Sequence, residues 1–390
     1  MEGMNATSPT TDSTTRRARS SRAVRGELPN GRLPSGYIRL LRDLPGHRWY
    51  KPLLVVLLAV VFSLVFVVGI FLVFGIWSVI GAGGALGGVE GAVSSIDDMN
   101  TVPGLIATLA VVIVLWPALE LAMLCVYQRW FFPLISVRPG LGPRSGAVPG
   151  GMRWRLLGRY LLLALPVWAA GLVVLGIVSP ESVALEQNVE WGSRLALALT
   201  VVLLLVPVQA MSEELVFRGL AMNVIGSWLR SPWWAVLIPV PFFVFGHLYD
   251  MPGLISVGVF AVAMGLLSLW TSGLEAAIAF HTVNNLFAFG LGILTGADLN
   301  AADAPAAQVA VGIAAPIVFT LVVIFDGRRR GPELRVPRGT GDSGSLGPGT
   351  PSGVPGPGLS SRREAHSGEV LPPRGDVVGD LPQDHLGGGV

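Results

Sequence analysis

Two adjacent glutamates, Glu213 and Glu214, follow directly on the apolar run "LALALTVVLLLVPVQA" in the stretch "MSEELVFRG" at 211–219. Arg218 lies four residues beyond Glu214, so the two share a helix face and can pair. Glu213 points about 100° away from its neighbour on an α-helix and cannot share that arginine equally. It needs a partner or a task of its own. Further along, His247 closes "FFVFGH", with Phe243 one turn earlier on the same face. His281 stands in "AFHTVNN", with Asn285 one turn later. Singly, each has an ordinary explanation: a boundary ion pair, a buried histidine on a backbone carbonyl, or polar glue between membrane helices. Together they are an acid, two imidazoles and a carboxamide in a low-dielectric bundle, and that set can hydrolyse a bond. A buried glutamate serves as general base for a water. Histidine can hold the same water or donate to an oxyanion, and asparagine can donate its amide. Glu213, His247 and His281 also suit a divalent metal such as zinc with an open water position. The H-E-x-x-H helix signature is absent, so any such metal site has to be assembled across helices.

These groups lie in a chain of 390 residues, 52% hydrophobic and 13% charged. Soluble domains carry about a quarter charged residues, so most of this mass belongs in lipid. The net charge of +2 gives no reason to expect nucleic acid as a partner, and the single cysteine excludes an internal disulfide or a cysteine metal cluster. The expected fold is all-α and polytopic. Eight apolar spans are legible at about 53–76, 104–126, 157–178, 194–212, 233–248, 254–271, 274–294 and 307–325, each near the length a hydrocarbon core demands. Residues 213–230, "EELVFRGLAMNVIGSWLR", look too polar for a simple span and are expected to leave the membrane as an amphipathic surface element. An ionisable side chain at the bilayer centre costs about 2.5–3.5 kcal/mol on insertion scales, so the few charges within spans are functional candidates.

Loop charges orient the bundle. Residues 77–103 hold Glu90, Asp97 and Asp98 with no base, and 127–159 hold Arg129, Arg138, Arg144, Arg153, Arg155 and Arg159 with no acid. Residues 179–193 and 296–306 carry only acids, and "RRR" at 328–330 follows the last span. The positive-inside rule then places both tails on the cytoplasmic side of a cell membrane. Residues 1–49, which hold nine of the ten basic residues from Arg16 to Lys51, are expected to be a disordered basic tail. Residues 50–190 form the first transmembrane helices, 191–295 the core that carries the chemistry, and 296–326 the last helix. Residues 327–390, rich in Gly, Pro and Ser, form a second disordered tail. The first apolar run starts too far in for a cleaved leader.

The order E-E-x-x-x-R, F-x-x-x-H, H-x-x-x-N resembles the CPBP family of intramembrane proteases, which includes type II CAAX prenyl proteases and bacteriocin-processing or immunity proteins. The matching residues are Glu213, Glu214 and Arg218; Phe243 and His247; His281 and Asn285, within about residues 195–290. The resemblance implies cleavage of a peptide bond in or next to the membrane, with a peptide or membrane protein as substrate and the lipid bilayer as surroundings. Glu213 would activate water together with His247, His281 and Asn285 would stabilise the oxyanion, and Arg218 would hold Glu214. The same residues serve a metal-dependent or a metal-free mechanism. The prenylated CAAX substrate of eukaryotic relatives is not carried over.

Two other classes compete: a proton-coupled transporter, with Glu and His spaced along a path, and an idle scaffold or immunity protein. No internal repeat of the transporter kind is visible. Glu275 reads as a charge at an inner helix end, Asp250 as a turn after His247, and Glu120 as a partner for a loop arginine. Simple span counting separates Glu213 from His247. They meet only if the fifth helix is short or bent, as Pro239 and Pro241 allow, around a water-filled cavity open to the inner side. The sequence leaves the oligomeric state open.

Overall fold

The computed structural model describes residues 36–81, 96–131, 134–137, 151–185 and 192–329, and these are helical with one isolated β-bridge. The first elements are a 3-10 turn at Tyr37–Arg39 and the short helix α1, Leu40–Asp43. Next comes α2, Lys51–Gly81, whose leucines and valines are largely exposed on several faces. Such a surface is stable only in lipid. There every backbone group must bond within the segment, so the chain is helical.

α3, Val102–Ile113, starts at Thr101, whose hydroxyl accepts the Gly104 amide. α4, Leu115–Tyr127, continues it after a break at Val114. Pro117 causes the break, because it has no N–H to return to Ile113. The Ser212 hydroxyl, which donates to the Val208 carbonyl at 2.7 Å, also lies 3.3 Å from the Ile113 carbonyl, next to Glu213. α4 stops at Gln128 in the left-handed conformation. α5 is Trp154–Val178.

α6, Ser193–Glu214, does not end the helical run at Glu214. It passes into a π-helical turn, Leu215–Ala221, and on into α7, Met222–Trp228. Ser193–Trp228 is thus one run of 36 residues. Leu215, Arg218, Leu220, Met222, Asn223 and Val224 are buried. The expected amphipathic surface element at 213–230 is therefore corrected: its polar residues face protein partners, not the water interface. The expected fifth span is also different. α8, Pro232–Leu237, and α9, Pro239–Phe245, are six and seven residues long. Pro239 and Pro241 withhold two amides and bend the path.

α10, Met251–Thr271, is capped by Asp250, which accepts the Gly253 amide at 2.9 Å. α11, Glu275–Thr295, and α12, Ala306–Arg329, complete the bundle. Seven helices among the described residues are long and apolar enough to cross a membrane, against eight expected. The short α8–α9 pair still runs between the two ends of the bundle. Arg230 lies at one end, with its carbonyl on Arg39, and Asp250 at the other, its amide bonded to the Ala302 carbonyl at 2.9 Å. The chain is a multi-pass, all-α membrane protein.

The first end is tied by ion pairs. Arg153 grips Glu275 through Nε at 2.8 Å and its own amide at 2.9 Å, and Arg159 pairs with Asp326. The Glu275 charge thus anchors the start of α11 to the start of α5. Beside it, Ser136 bridges to Gly273, and a Cβ on Gly273 would strike both Ser136 and the Arg153 guanidinium. Glu120 accepts the Phe131 amide at 3.3 Å, where an arginine partner was expected. The opposite end is closed by two matching turns, Asp98–Asn100 and Asp298–Asn300, whose side-chain amides each donate to the other turn's aspartate at 2.7 Å.

Residues 1–35 and 330–390 lie outside the described residues, as do Glu90, Arg138 and Arg144. The expected tail boundary at residue 49 comes too late, because residues 37–43 are folded and Tyr37, Ile38, Leu40 and Leu41 are buried.

Candidate active site

The site lies where α6 gives way to the π turn. Trp228 is fourteen positions past Glu214, so at an α-helical rise the acids lie about 21 Å from that end of the helix. This is why span counting misplaced Glu213: the helix does not stop there.

His281 joins the two carboxylates. Its Nδ1 lies 2.7 Å from Glu214 Oε1, and its Nε2 lies 3.2 Å from Glu213 Oε2. Arg218 Nη1 donates to the same Glu214 Oε1 at 3.1 Å, and Nη2 donates to the Ala261 carbonyl at 3.2 Å. Glu214, Arg218 and His281 are buried, while the Glu213 side chain keeps 11% exposure. If both ring nitrogens carry hydrogens, two carboxylates, one guanidinium and one imidazolium sum to zero. Charge balance of that kind is what allows ions this deep in a bundle.

Gln209 also belongs here. Its Nε2 donates to Glu213 Oε2 at 3.0 Å, and its Oε1 accepts from Asn285 Nδ2 at 3.0 Å. Asn285 Oδ1 in turn accepts from Asn284 Nδ2 at 2.8 Å. Sequence reading missed Gln209. The available signal was its spacing, an amide four residues before Glu213 inside an apolar run. Glu213 Oε2 thus takes two contacts, and Oε1 is the oxygen left to face a water.

His247 stands on the half-exposed side. Its Nδ1 lies 2.8 Å from the Phe243 carbonyl. A carbonyl can only accept, so Nδ1 carries the hydrogen and Nε2 holds the lone pair. Phe243 lies under the Arg218 guanidinium, 4.4 Å from ring centre to Cζ, and meets Phe217 edge-on at 5.0 Å. Phe260, also missed, packs edge-on against His281 at 4.8 Å and stacks on Phe243 at 6.0 Å. These rings wall off one side of the ion cluster, where contacts between charges are strengthened. A void of about 10 Å³ lies beside Arg218, lined by Phe217, Met222, Val236 and Phe243 among others. That is close to the room one water needs.

Glu213, Glu214, Arg218, His281 and Asn285 are therefore brought into one connected set, with Phe243 against Arg218 and the His247 ring 4.9 Å from that of Phe243. As they stand, Glu213, His247 and His281 do not make a metal site. Both nitrogens of His281 face carboxylates, and among the described residues no three His, Cys, Asp or Glu side chains are arranged to hold a metal ion.

Three comparisons bear on this geometry. The family model described as type II CAAX prenyl endopeptidase Rce1-like matches residues 195–287. The chain is similar to YyaK, an uncharacterized protein of Bacillus subtilis (strain 168), at 26% identity over 147 residues, covering 35% of this chain and 47% of that protein. The chain thus spans about half the length of the curated relative it matches. No solved structure matches significantly. The matched segment contains every residue of the connected set, and residues 195–287 of this chain are an Rce1-like domain of the CPBP family.

Proposed function

We propose that this protein is an intramembrane endopeptidase of the CAAX-protease type that cleaves a peptide or membrane-protein segment with a water activated by Glu213. The observation that carries this reading is the contact of His281 with both glutamates, at 2.7 and 3.2 Å, in a buried cluster. Acids and imidazole converge on one point there. A proton relay needs them spread along a path, and an idle scaffold needs none of them.

Each side chain has a task that follows from its position. Gln209 and His281 fix the Glu213 carboxylate and leave Oε1 for a water. Glu213 takes that water's proton as hydroxide adds to the scissile carbonyl carbon, a role worth about 10²- to 10⁴-fold in rate. His247, with its Nε2 lone pair free, accepts a hydrogen bond from the same water and orients it. As Glu213 gains the proton its hold on the Nε2 hydrogen of His281 weakens, and the developing oxyanion shares that hydrogen from the fixed ring. Asn285 contributes its second amide hydrogen to the same charge. Glu214 and Arg218 hold the His281 ring throughout. Protonated Glu213 then returns its proton to the leaving amine. The arginine-rich loops and the end tied by Arg153 and Arg159 face the cytoplasm, so both tails are cytoplasmic.

The test is a comparison of membrane-associated peptides from cells carrying the wild-type protein or Glu213→Gln. The proposal expects one or more full-length segments to accumulate with the variant and their fragments to disappear. Identical peptide inventories at equal protein levels would refute it.

A further inference from the structure

The amino-terminal segment lies outside the matched domain, yet it is joined to the helix that carries the acids. The Tyr37 hydroxyl lies 3.2 Å from the Arg218 carbonyl and 3.2 Å from the Leu134 carbonyl. The Leu40 amide donates to Asn223 Oδ1 at 2.8 Å, and Asn223 Nδ2 donates to the Gly219 carbonyl at 2.8 Å. Ile38 packs so closely on Gly226 that a Cβ there would overlap the Ile38 carbonyl. Apart from the Leu134 carbonyl, these contacts fall on the π turn and α7.

The π turn explains why a tyrosine is needed. In an α-helix the Met222 amide would bond the Arg218 carbonyl; here it reaches back to Phe217. The Arg218 carbonyl loses that donor, and the Tyr37 hydroxyl supplies one, its single hydrogen shared with the Leu134 carbonyl. Burial, with the Glu275 and Glu214 carboxylates nearby, pushes the Tyr37 phenol well above its usual range, so the hydroxyl keeps its hydrogen. The guanidinium of the same Arg218 points the other way, to Glu214 and the Ala261 carbonyl. One residue is therefore held by Tyr37 at its backbone and holds the ion cluster with its side chain.

We propose that Tyr37 is a positioning residue for the site, and that residues 36–44 form a strap that couples the amino-terminal chain to the placement of Arg218. The inference rests on the hydrolytic reading of that site. Tyr37 touches no reacting atom; it acts through Arg218, Glu214 and His281 in turn.

The test uses the full chain in lipid nanodiscs and an anchored, quenched fluorogenic peptide. Loss of one hydrogen bond corresponds to about 2- to 12-fold. Tyr37→Phe is expected to lower kcat by about that factor per folded molecule, with KM unchanged. Gly226→Ala, which displaces Ile38, is expected to give a similar loss, and the double variant to be no worse than the weaker single one. Amide exchange over residues 215–222 is expected to quicken in both. Wild-type kcat per folded molecule in Tyr37→Phe, or a loss explained wholly by a smaller folded fraction, would overturn the proposal. If the wild-type protein cuts no peptide, the hydrolytic reading fails by itself. The exchange arm then still decides the strap: faster exchange over 215–222 supports it, and unchanged exchange overturns it.

Discussion

Replacing Gln209 by leucine tests whether the acids act as isolated groups or as part of a fixed array. Leucine fills similar space and makes no hydrogen bond. Two bonds vanish, the donation to Glu213 Oε2 and the acceptance from Asn285, both at 3.0 Å. A bond to a charged group contributes about 1.5–3 kcal/mol and a neutral one about 1 kcal/mol. The first falls on the base itself, because Glu213 is then held by His281 alone and its carboxylate can rotate Oε1 away from the water. We expect kcat to fall about 10- to 100-fold with KM unchanged, as for an interaction that matters in the transition state. The second falls mainly on folding, and we expect a lower melting midpoint in detergent or nanodiscs. A double-mutant cycle with Asn285→Ala gives the decisive number. If the two side chains act through one bridge, their effects are non-additive by at least about 0.5 kcal/mol. A folded Gln209→Leu protein with activity within about twofold of wild type would refute this reasoning.

Three further outcomes are expected. Arg153→Ala leaves Glu275, which is fully buried, without its main partner, and should cost about 3–5 kcal/mol of stability in a chemical or thermal melt. Among the described residues Glu120 has one buried oxygen without a partner and the other on the Phe131 amide; Glu120→Gln removes a buried acid and should leave the melting midpoint unchanged or raised. The clasp of Asp98 and Asp298 should weaken in acid. Amides at Asn100 and Asn300 hold both carboxyls below the usual carboxylate range. A folded pKa below the unfolded one adds stability above the unfolded value and loses it as pH falls through the folded one. The melting midpoint should therefore hold near neutrality and drop below about pH 4, with a smaller drop in Asp98→Asn.

What the sequence disclosed, and what it hid, follows from how costly each residue is in lipid. Glu213, Glu214, Arg218 and His281 stood out because charge in an apolar run is expensive, and helical spacing alone paired Glu214 with Arg218 and put Asn285 on the His281 face. Gln209 passed unnoticed because an uncharged amide barely disturbs an apolar pattern. The π turn at Leu215–Ala221 has no local composition to mark it. Its polar residues looked like an interface helix because their partners come from elsewhere: Tyr37 for the Arg218 carbonyl, and the Leu40 amide for Asn223. The tail boundary failed for the same reason. Tyr37, Ile38, Leu40 and Leu41 are too short a patch to announce a helix, yet long enough to fill the space beneath one. The short fifth helix was legible only as Pro239 and Pro241, which reveal a bend but not how far the path runs.

The central claim is that Glu213 activates the water that cuts the peptide. Purified wild-type and Glu213→Gln proteins in nanodiscs, given the same membrane-anchored fluorogenic peptide, test it most directly. Glutamine can keep its oxygen toward Gln209 and His281, so the fold should survive with an unchanged melting midpoint. The account predicts turnover at least about 100-fold below wild type. A folded Glu213→Gln protein that cleaves at the wild-type rate would contradict it.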